Sequence, residues 1–511
     1  MTPPLGTARG PREVELKFHL PPGSRAVLEG YPALATAAVE HRHLASTYFD
    51  TPDRALDRCG LTLRVRRDGE SRTQTVKSRS DGHGVAVSRG EWEWPIDQDA
   101  PELAWLAKTK PLAAAATAIK GRLQPAFVTT IYRTTRLLRL GDDTTVEVAF
   151  DEGDIEAGHA HEAVSELEIE LKSGCVGPLY RLAAALLSTA PLWLMSESKA
   201  SRGWRLRTGQ SEEAQLAQPP KLKRKVSAAT GFRQIFGGTL GHLTANIGAT
   251  LRGDPEGLHQ SRVAIREARA VLQLFDQYLE ADSVKRFKAT LRTYGEVLGA
   301  ARDWDVFCLE TLPAAIPDLS AEHLEDFNAA AEVARQLAHE AVAIAVRSRG
   351  FSELVLELVV WTDVGAIESS RHDAGLTRQL LSTLAPSLLD RAAETVRRRG
   401  RDISRLSEAK RHSLRKSLKK LSFDVECLAH FYGAKGVRRY LRRCEALEKI
   451  LGAANDAVVA DRLAHKLVTA GRPELSKPAG AVERWNKLRA RHALKDLQAA
   501  MGYSRNASVF W

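Results

Sequence analysis

A chain of 511 residues is too long for one ordinary core and implies two or three domains, and 44% hydrophobic with 27% charged residues describes a soluble globular protein. A net charge of +11 and a pI near 9.4 imply an anionic partner, for which nucleic acid, an acidic membrane surface and polyphosphate all qualify, unless the Arg simply decorates solvated helices. Five scattered cysteines (Cys59, Cys175, Cys308, Cys427, Cys444), odd in number and without a CxxC pair, argue against a disulfide framework or a zinc site and suit a reducing cytoplasm.

The opening residues MTPPLGTARGPREVE contain no apolar run and predict no signal peptide. The first strand signal is Glu13-Val14-Glu15-Leu16-Lys17, with Glu13, Glu15 and Lys17 on one face and Val14, Leu16 and Phe18 on the other. The same division recurs down the chain. Arg64 and Arg66 share a face with Thr62; Lys77 lies with Thr73 and Thr75; Arg89, Glu91 and Glu93 oppose Trp92 and Trp94. Thr129, Ile131, Arg133 and Thr135 form a further face; Glu147, Ala149 and Asp151 oppose Val146, Val148 and Phe150; Glu166, Glu168, Glu170 and Lys172 oppose Leu167, Ile169 and Leu171. So many strands with turns between them predict a closed or strongly curved antiparallel sheet. If the apolar faces point inward, this is an ordinary barrel with a charged surface. If the charged faces point inward, the barrel encloses an ionic tunnel, and helices around 22–29, 102–107 and 179–188 cover its outside. Burying so many charges is costly unless they pair or bind ions and ligand. Carboxylates on some strands and Arg/Lys on others suit a polyanion together with a divalent metal.

These residues resemble the CYTH domain, or triphosphate tunnel metalloenzyme fold. The resemblance runs through the ExExK signature at Glu13, Glu15 and Lys17, Thr47 to Pro52, Arg64 and Arg66, Lys77, and Arg89-Gly90-Glu91. It continues through Arg133, Glu147 to Gly153, Ser165 to Lys172, and Ser198 to Gly203, with no core position lost. It implies a triphosphate-binding β tunnel over residues 10–206. Glu13, Glu15, Glu168 and Glu170 would ligate metal, with Glu147 and Asp151 as additional acidic groups. Lys17, Arg64, Arg66, Lys77, Arg133, Lys199 and Arg202 would grip phosphate, and Glu91 would orient a basic neighbour. The implied chemistry is attack of water on a terminal phosphorus with Mg²⁺ or Mn²⁺ as cofactor. Glu13, Glu15 and Lys17 are the expected catalytic residues, and Lys17 has a second role open to it, setting the polarity of the water.

Residues 207–226 (RTGQSEEAQLAQPPKLKRKV) read as an interdomain linker. Beyond them the chain turns helical and carries a duplication, with copies over about 228–370 and 375–505. His259 aligns with His412 (412 − 259 = 153) and Leu298 with Leu451 (451 − 298 = 153). Upstream, Arg233-Gln234-Ile235 matches Arg378-Gln379-Leu380 at an offset of 145, which places eight missing residues in a loop around 397–407. The fold expected here is all-α, two tandem four-helix bundles following the α+β tunnel. On the second helix of each copy, His259, Arg262, Arg266 and Arg269 share one stripe, and His412, Arg415, Lys416, Lys419 and Lys420 share another. Symmetric packing would bring the stripes together as a groove or pore for a long polyanion.

The His-x-x-Arg-x-x-x-Arg-x-x-Arg helix and Leu298 to Val306 resemble the CHAD domain, over residues 227–506. That family is associated with binding inorganic polyphosphate, which assigns the nine stripe residues to this role. Asn455 in place of Arg302 and Ser422 in place of Arg269 leave the second copy fewer contacts. His242, His339, His372 and His492 are weaker candidates, and Asp303 and Asp456 would orient basic residues or cap helices.

The expected function is metal-dependent hydrolysis of inorganic triphosphate in a cytoplasmic CYTH–CHAD protein similar to bacterial inorganic triphosphatases, associated with polyphosphate and its granules. The alternatives are thiamine triphosphatase, nucleoside triphosphatase or adenylate cyclase chemistry in the same tunnel, or a non-catalytic polyphosphate binder. Nucleic acid ranks last because few aromatics interleave the basic stripes, and no membrane partner is expected.

Overall fold

In a computed structural model, the structure describes residues 12–78, 85, 87–141, 143–209, 213–315, 324–362, 379–401, 403–469, 472–495, 497, 500 and 509–511. The chain forms two compact units. One comprises 1–215 with 240–252 and 346–363; the other comprises 216–239, 253–345 and 364–511.

The first unit is built on strands β1 (Arg12–His19), β2 (Val39–Asp50), β3 (Leu61–Asp68), β4 (Ser71–Ser78), β5 (Val87–Pro95), β6 (Gln124–Leu140), β7 (Thr144–Ala157), β8 (Ala160–Ser173) and β9 (Trp193–Leu194). Every pairing is antiparallel. The order β5-β4-β3-β2-β6-β7-β8-β1 closes through β1 against β5, and the short β9 extends from β1. Each strand expected from alternation is present; β2 is an addition, since its first half is exposed on both faces and shows no alternation.

Closure decides which face is inside. Ion pairs join strands that are not neighbours: Lys77 of β4 reaches Glu13 of β1 at 2.7 Å past β5, and Arg133 of β6 reaches Glu168 of β8 at 2.5 Å past β7. Only side chains on the concave face converge in this way, so the charged faces point inward. The apolar faces are buried too, because helices cover them. Leu63, Val65 and Val76 pack with Leu106, Leu112, Ala116 and Ile119 from helices Leu103–Lys108 and Ala113–Ile119. Leu16, Phe18, Val148, Phe150, Leu167 and Ile169 are almost wholly buried, as are Leu179, Leu182 and Leu186 of helix Val176–Thr189.

One end of the barrel is closed from within. Helix Lys199–Thr208, N-capped by Ser198 accepting from the Ser201 N–H, lies against the inward-facing Tyr48, Phe127, Ile131, Ile155 and Val164 through Ala200 and Trp204. Phe127 stacks on Tyr48 and meets Trp204 edge-on. Gly203 permits this approach, since a Cβ there would lie 2.2 Å from the Phe127 ring. Asp50 explains its own motif: its carboxylate accepts the N–H groups of Thr51, Leu56 and Asp57, anchoring the turn that follows β2.

In the second unit and the helices that continue from it, the duplication runs at one offset throughout. Helix starts pair as Ala228 with Leu381, Pro255 with Glu408 and Ala281 with Ala434, each 153 apart. The single-turn helices at Asp276 and Ala429 keep the same spacing. This corrects the 145 offset read from Arg233-Gln234-Ile235. Those residues lie inside the helix that starts at Ala228, whereas Gln379 and Leu380 precede the helix that starts at Leu381, and Arg378 lies outside the described residues. No eight-residue gap is needed, and Arg397 to Arg399 form the last turn of a helix. The copies also share a core, with Trp304, Phe307 and Phe327 of the first packed with Ala460, Leu463, Leu467 and Val482 of the second. Among the described residues no helix is long and apolar enough to cross a membrane.

Candidate functional site

The barrel interior is layered. At the closed end, Asp151 of β7 and Glu166 of β8 face each other in register, with Glu168 one step along, and an oxygen from each lies within 4.8 Å of the others. Cations saturate this triad. Lys199 contacts Asp151, Glu166 and Glu168 at 2.7, 2.6 and 2.9 Å; Lys17 contacts Glu168 at 2.8 Å. Arg133 forks onto Asp151 and reaches Glu168, and Arg202 joins Glu166 to Glu162. Burial opposes the charges of Lys17, Arg133, Asp151, Glu168 and Lys199, and their partners overcome it. Glu168 is held well below the usual carboxylate range by Lys17 and Lys199, and Lys199 is held well above the usual lysine range by Asp151 and Glu166.

Toward the open end the balance reverses. Glu15 and Glu147 both stand directly opposite Glu170, placing three carboxylates on adjacent strands β1, β8 and β7. Lys172 contacts Glu170 and Glu147; Arg89 contacts Glu13 and Glu15; Lys77 bridges Glu13 and Glu91. Five carboxylates thus meet these three cations and Lys17, which lies 4.0 Å from Glu15 and is shared with Glu168, among the described residues. Burial, then the like charges of Glu13 and Glu147, push Glu170 upward against the pull of Lys172. An oxygen-only donor set with excess negative charge fits a hard divalent cation. The deeper triad has the tighter geometry but the wrong charge, with four cations around three carboxylates.

The opposite wall is basic. Arg64 and Arg66 on β3 stand near Arg133, and the charge of Arg64, then burial, lowers Arg66 despite a 3.3 Å pair with Glu93. Buried Thr75, Thr129, Thr135 and Ser46 supply neutral lining. An acidic wall on β1, β7 and β8 therefore faces a basic wall on β3, which a metal-bound polyanion would complement.

The helical half places its stripes as the repeat implies: helix Pro255–Leu274 packs on helix Glu408–Leu428. Burial, offset in part by Asp303 and reinforced by Arg266 and Arg415, lowers Arg262; burial lowers Arg266, with Arg415 adding to it. Arg269, Lys416 and Lys420 are lowered for the same reasons. Arg262, Arg269, Lys416, Lys419 and Lys420 have no carboxylate within ion-pair distance among the described residues, while Arg266 has only Glu267 at 3.6 Å and Arg415 only Asp456 at 4.0 Å. Here, unlike the tunnel, the cations lack internal counter-charge. Burial and Arg302 push His259 down to about 4, so it is neutral at pH 7, and its Nδ1 has no partner among the described residues. His412 Nδ1 donates to the Asn455 carbonyl oxygen at 2.6 Å, so the exchange of Arg302 for Asn455 replaces a charge with an orienting hydrogen bond. Asp303 holds Arg462 at 3.2 Å. Of the other histidines, His242 donates to the Gln215 carbonyl, His339 pairs with buried Asp305 at 2.7 Å, His492 is exposed, and His372 lies outside the described residues.

Sequence reasoning missed Glu166, Glu162 and Arg89 as site residues, although Glu166 lay on a face already marked as charged. Asp305 lies within the Leu298 to Val306 stretch, but its role was not legible, because its partners Arg335 and His339 are 30 and 34 residues away.

Residues 11–203 match the CYTH domain family and residues 234–465 the CHAD domain family. Over 198 residues the chain is 34% identical to the inorganic triphosphatase of Haemophilus influenzae. That match takes 38% of this chain and 55% of the relative, so the chain spans about half the relative's length. The crystal structure of the CHAD domain from the plant Ricinus communis is similar at a TM-score of 0.52 and 25% identity, over 58% of this chain and 99% of that one.

Proposed function

We propose that this chain, a CYTH domain followed by a CHAD domain, hydrolyses inorganic triphosphate inside its barrel and binds inorganic polyphosphate on its helical half. The observation that carries the first part is the separation of charge inside the barrel: an acidic wall with more carboxylates than cations faces the paired arginines Arg64 and Arg66 of β3. A pure polyanion binder gains nothing from the acidic wall.

A divalent cation, Mg²⁺ or Mn²⁺, held by Glu13, Glu15, Glu147 and Glu170 would neutralise phosphoryl oxygens and make water more acidic. Arg64, Arg66 and Arg133 would hold the non-reacting phosphates, their guanidinium forks matching phosphate oxygens. Lys17, fixed by Glu168, keeps its proton and so serves as a hydrogen-bond donor and fixed positive charge at the reacting end, not as a base. Lys199 and Arg202 hold Asp151, Glu166 and Glu168 in place, which makes them positioning residues for the wall that presents Lys17 and Arg133. Charge on the phosphoryl group is thus stabilised by groups that need no reorganisation as it develops.

The helical half would hold polyphosphate because its stripe cations lack counter-charge, which a chain of phosphates supplies without displacing an internal partner.

The deciding experiment measures phosphate release from triphosphate, long-chain polyphosphate, ATP and thiamine triphosphate, with and without Mg²⁺ or Mn²⁺. Preference for triphosphate, lost on chelation and in E147Q/E170Q, is expected. Turnover confined to ATP, or turnover in E147Q/E170Q unchanged, would overturn the reading.

A further inference from the structure

Within the basic cluster of the helical half, one amine differs from the guanidinium groups around it. Lys419 occupies the position that Arg266 holds in the other copy (419 − 266 = 153), on the two helices that pack together. The charges that act most strongly on it are Arg415 from its own helix, Arg266 and Arg262 from helix Pro255–Leu274, and Glu448 from helix Ala434–Thr469. Three cations thus oppose one carboxylate, and Glu448 already accepts a hydrogen bond from Ser422 at 2.5 Å. The side chain is only partly buried, so reagents reach it. Arginine in such a cluster keeps its proton, whereas lysine can shed it, and like charge with partial burial is the environment that turns a lysine into a nucleophile. The same field concentrates small anions at the amine.

We propose that Lys419 is an acyl-acceptor site, modified by small anionic acyl donors of the acyl phosphate class, and that acylation removes a charge from the polyanion surface. The Nζ lone pair forms the C–N bond to the acyl carbon, the acyl C–O bond breaks, inorganic phosphate leaves with that electron pair, and the amine proton passes to water. Burial first, then Arg415 and Arg266, push this amine down to about 8. At pH 7 roughly 10% of such an amine is neutral, against about 0.04% for an ordinary lysine at 10.4. Lower intrinsic nucleophilicity offsets part of that gain, leaving an expected preference of at least about tenfold.

The regulatory half of the proposal rests on polyphosphate binding at the stripes; the acceptor site does not. The test incubates the full chain with acetyl phosphate between pH 6.5 and 9.5 and follows occupancy of each lysine by peptide mass spectrometry. Lys419 should acetylate at least tenfold faster than exposed Lys285 and Lys435, half-maximally near pH 8, and severalfold more slowly in R415Q at pH 7.5. An uncharged acetylating ester, which the field does not concentrate, should retain the pH profile with a smaller preference. Labelling of Lys419 no faster than Lys285 and Lys435 overturns the acceptor site. Unchanged polyphosphate affinity after acetylation of Lys419 overturns its regulatory role. Selective labelling in a protein that binds no polyphosphate leaves the acceptor site standing and refutes the reading of the stripes.

Discussion

Lys199 offers the sharpest test of how the barrel is held together. Its ammonium touches three carboxylates, two of them with fully buried side chains, and it enters from the helix that closes the barrel. Replacing it by methionine keeps the stem and removes the charge, so Asp151, Glu166 and Glu168 lose a shared partner. Breaking a buried ionic network by deleting one member costs about 3–5 kcal/mol. For a unit of this size that corresponds to a fall in Tm of about 6–20 °C. The pH dependence follows from the directions of the shifts. Asp151 and Glu168 sit below their ordinary values when folded, so their stabilisation is present above the unfolded value near 4 and is lost as pH falls through the folded value. In K199M both carboxyls rise. The variant should therefore lag wild type most at pH 7 and approach it only as pH falls below 4, where the wild-type carboxyls themselves protonate. Thermal unfolding, with hydrogen exchange of β7 and β8 to isolate the barrel, reads the difference. A loss under about 1 kcal/mol at pH 7 would show that Lys199 does not neutralise the triad.

Three further outcomes are expected. G203A places a methyl group against Phe127 and should destabilise the barrel by about 1–3 kcal/mol; unchanged Tm would mean the closing helix adjusts freely. Asp424 is buried with Oδ1 unpartnered among the described residues, and burial pushes it to about 8 despite Lys420, so folding favours its protonated form and stability falls as pH rises from about 4 to 8. D424N should match wild type at pH 4 and exceed it at pH 8 by up to about 5 kcal/mol, the linkage of four pH units, in denaturant titrations. Replacing His259, Arg262, Arg266, His412 and Arg415 together should lower polyphosphate affinity at least tenfold in calorimetry while triphosphate turnover stays within twofold; unchanged affinity would make the stripes solvated faces.

Much of this protein was legible in its chain. Period-two alternation marked seven of the strands, because side chains on a strand must alternate, and a recurring charged face is a pattern chance seldom repeats. Duplication is equally visible, since a copied sequence keeps its spacing; the slip to an offset of 145 came from matching three residues where only helix starts, set by capping and backbone, keep the true register. The basic stripes followed from helical periodicity.

Which face of each strand is inside lay beyond sequence, because alternation is symmetric between faces and only closure of β1 on β5 makes one concave. Sequence also could not divide the acidic residues into two groups. Glu166 and Glu168 belong to the same alternation as Glu170, yet Lys199, some 30 residues later, neutralises the first two and leaves Glu170 beside Glu15 and Glu147. The sequence by itself determined the two kinds of domain, the inventory of charges and the repeat, all of which are local patterns. Only the tertiary structure decided which charges cancel, because an electrostatic field depends on distances across the barrel and between packed helices, and those distances join residues far apart in the chain.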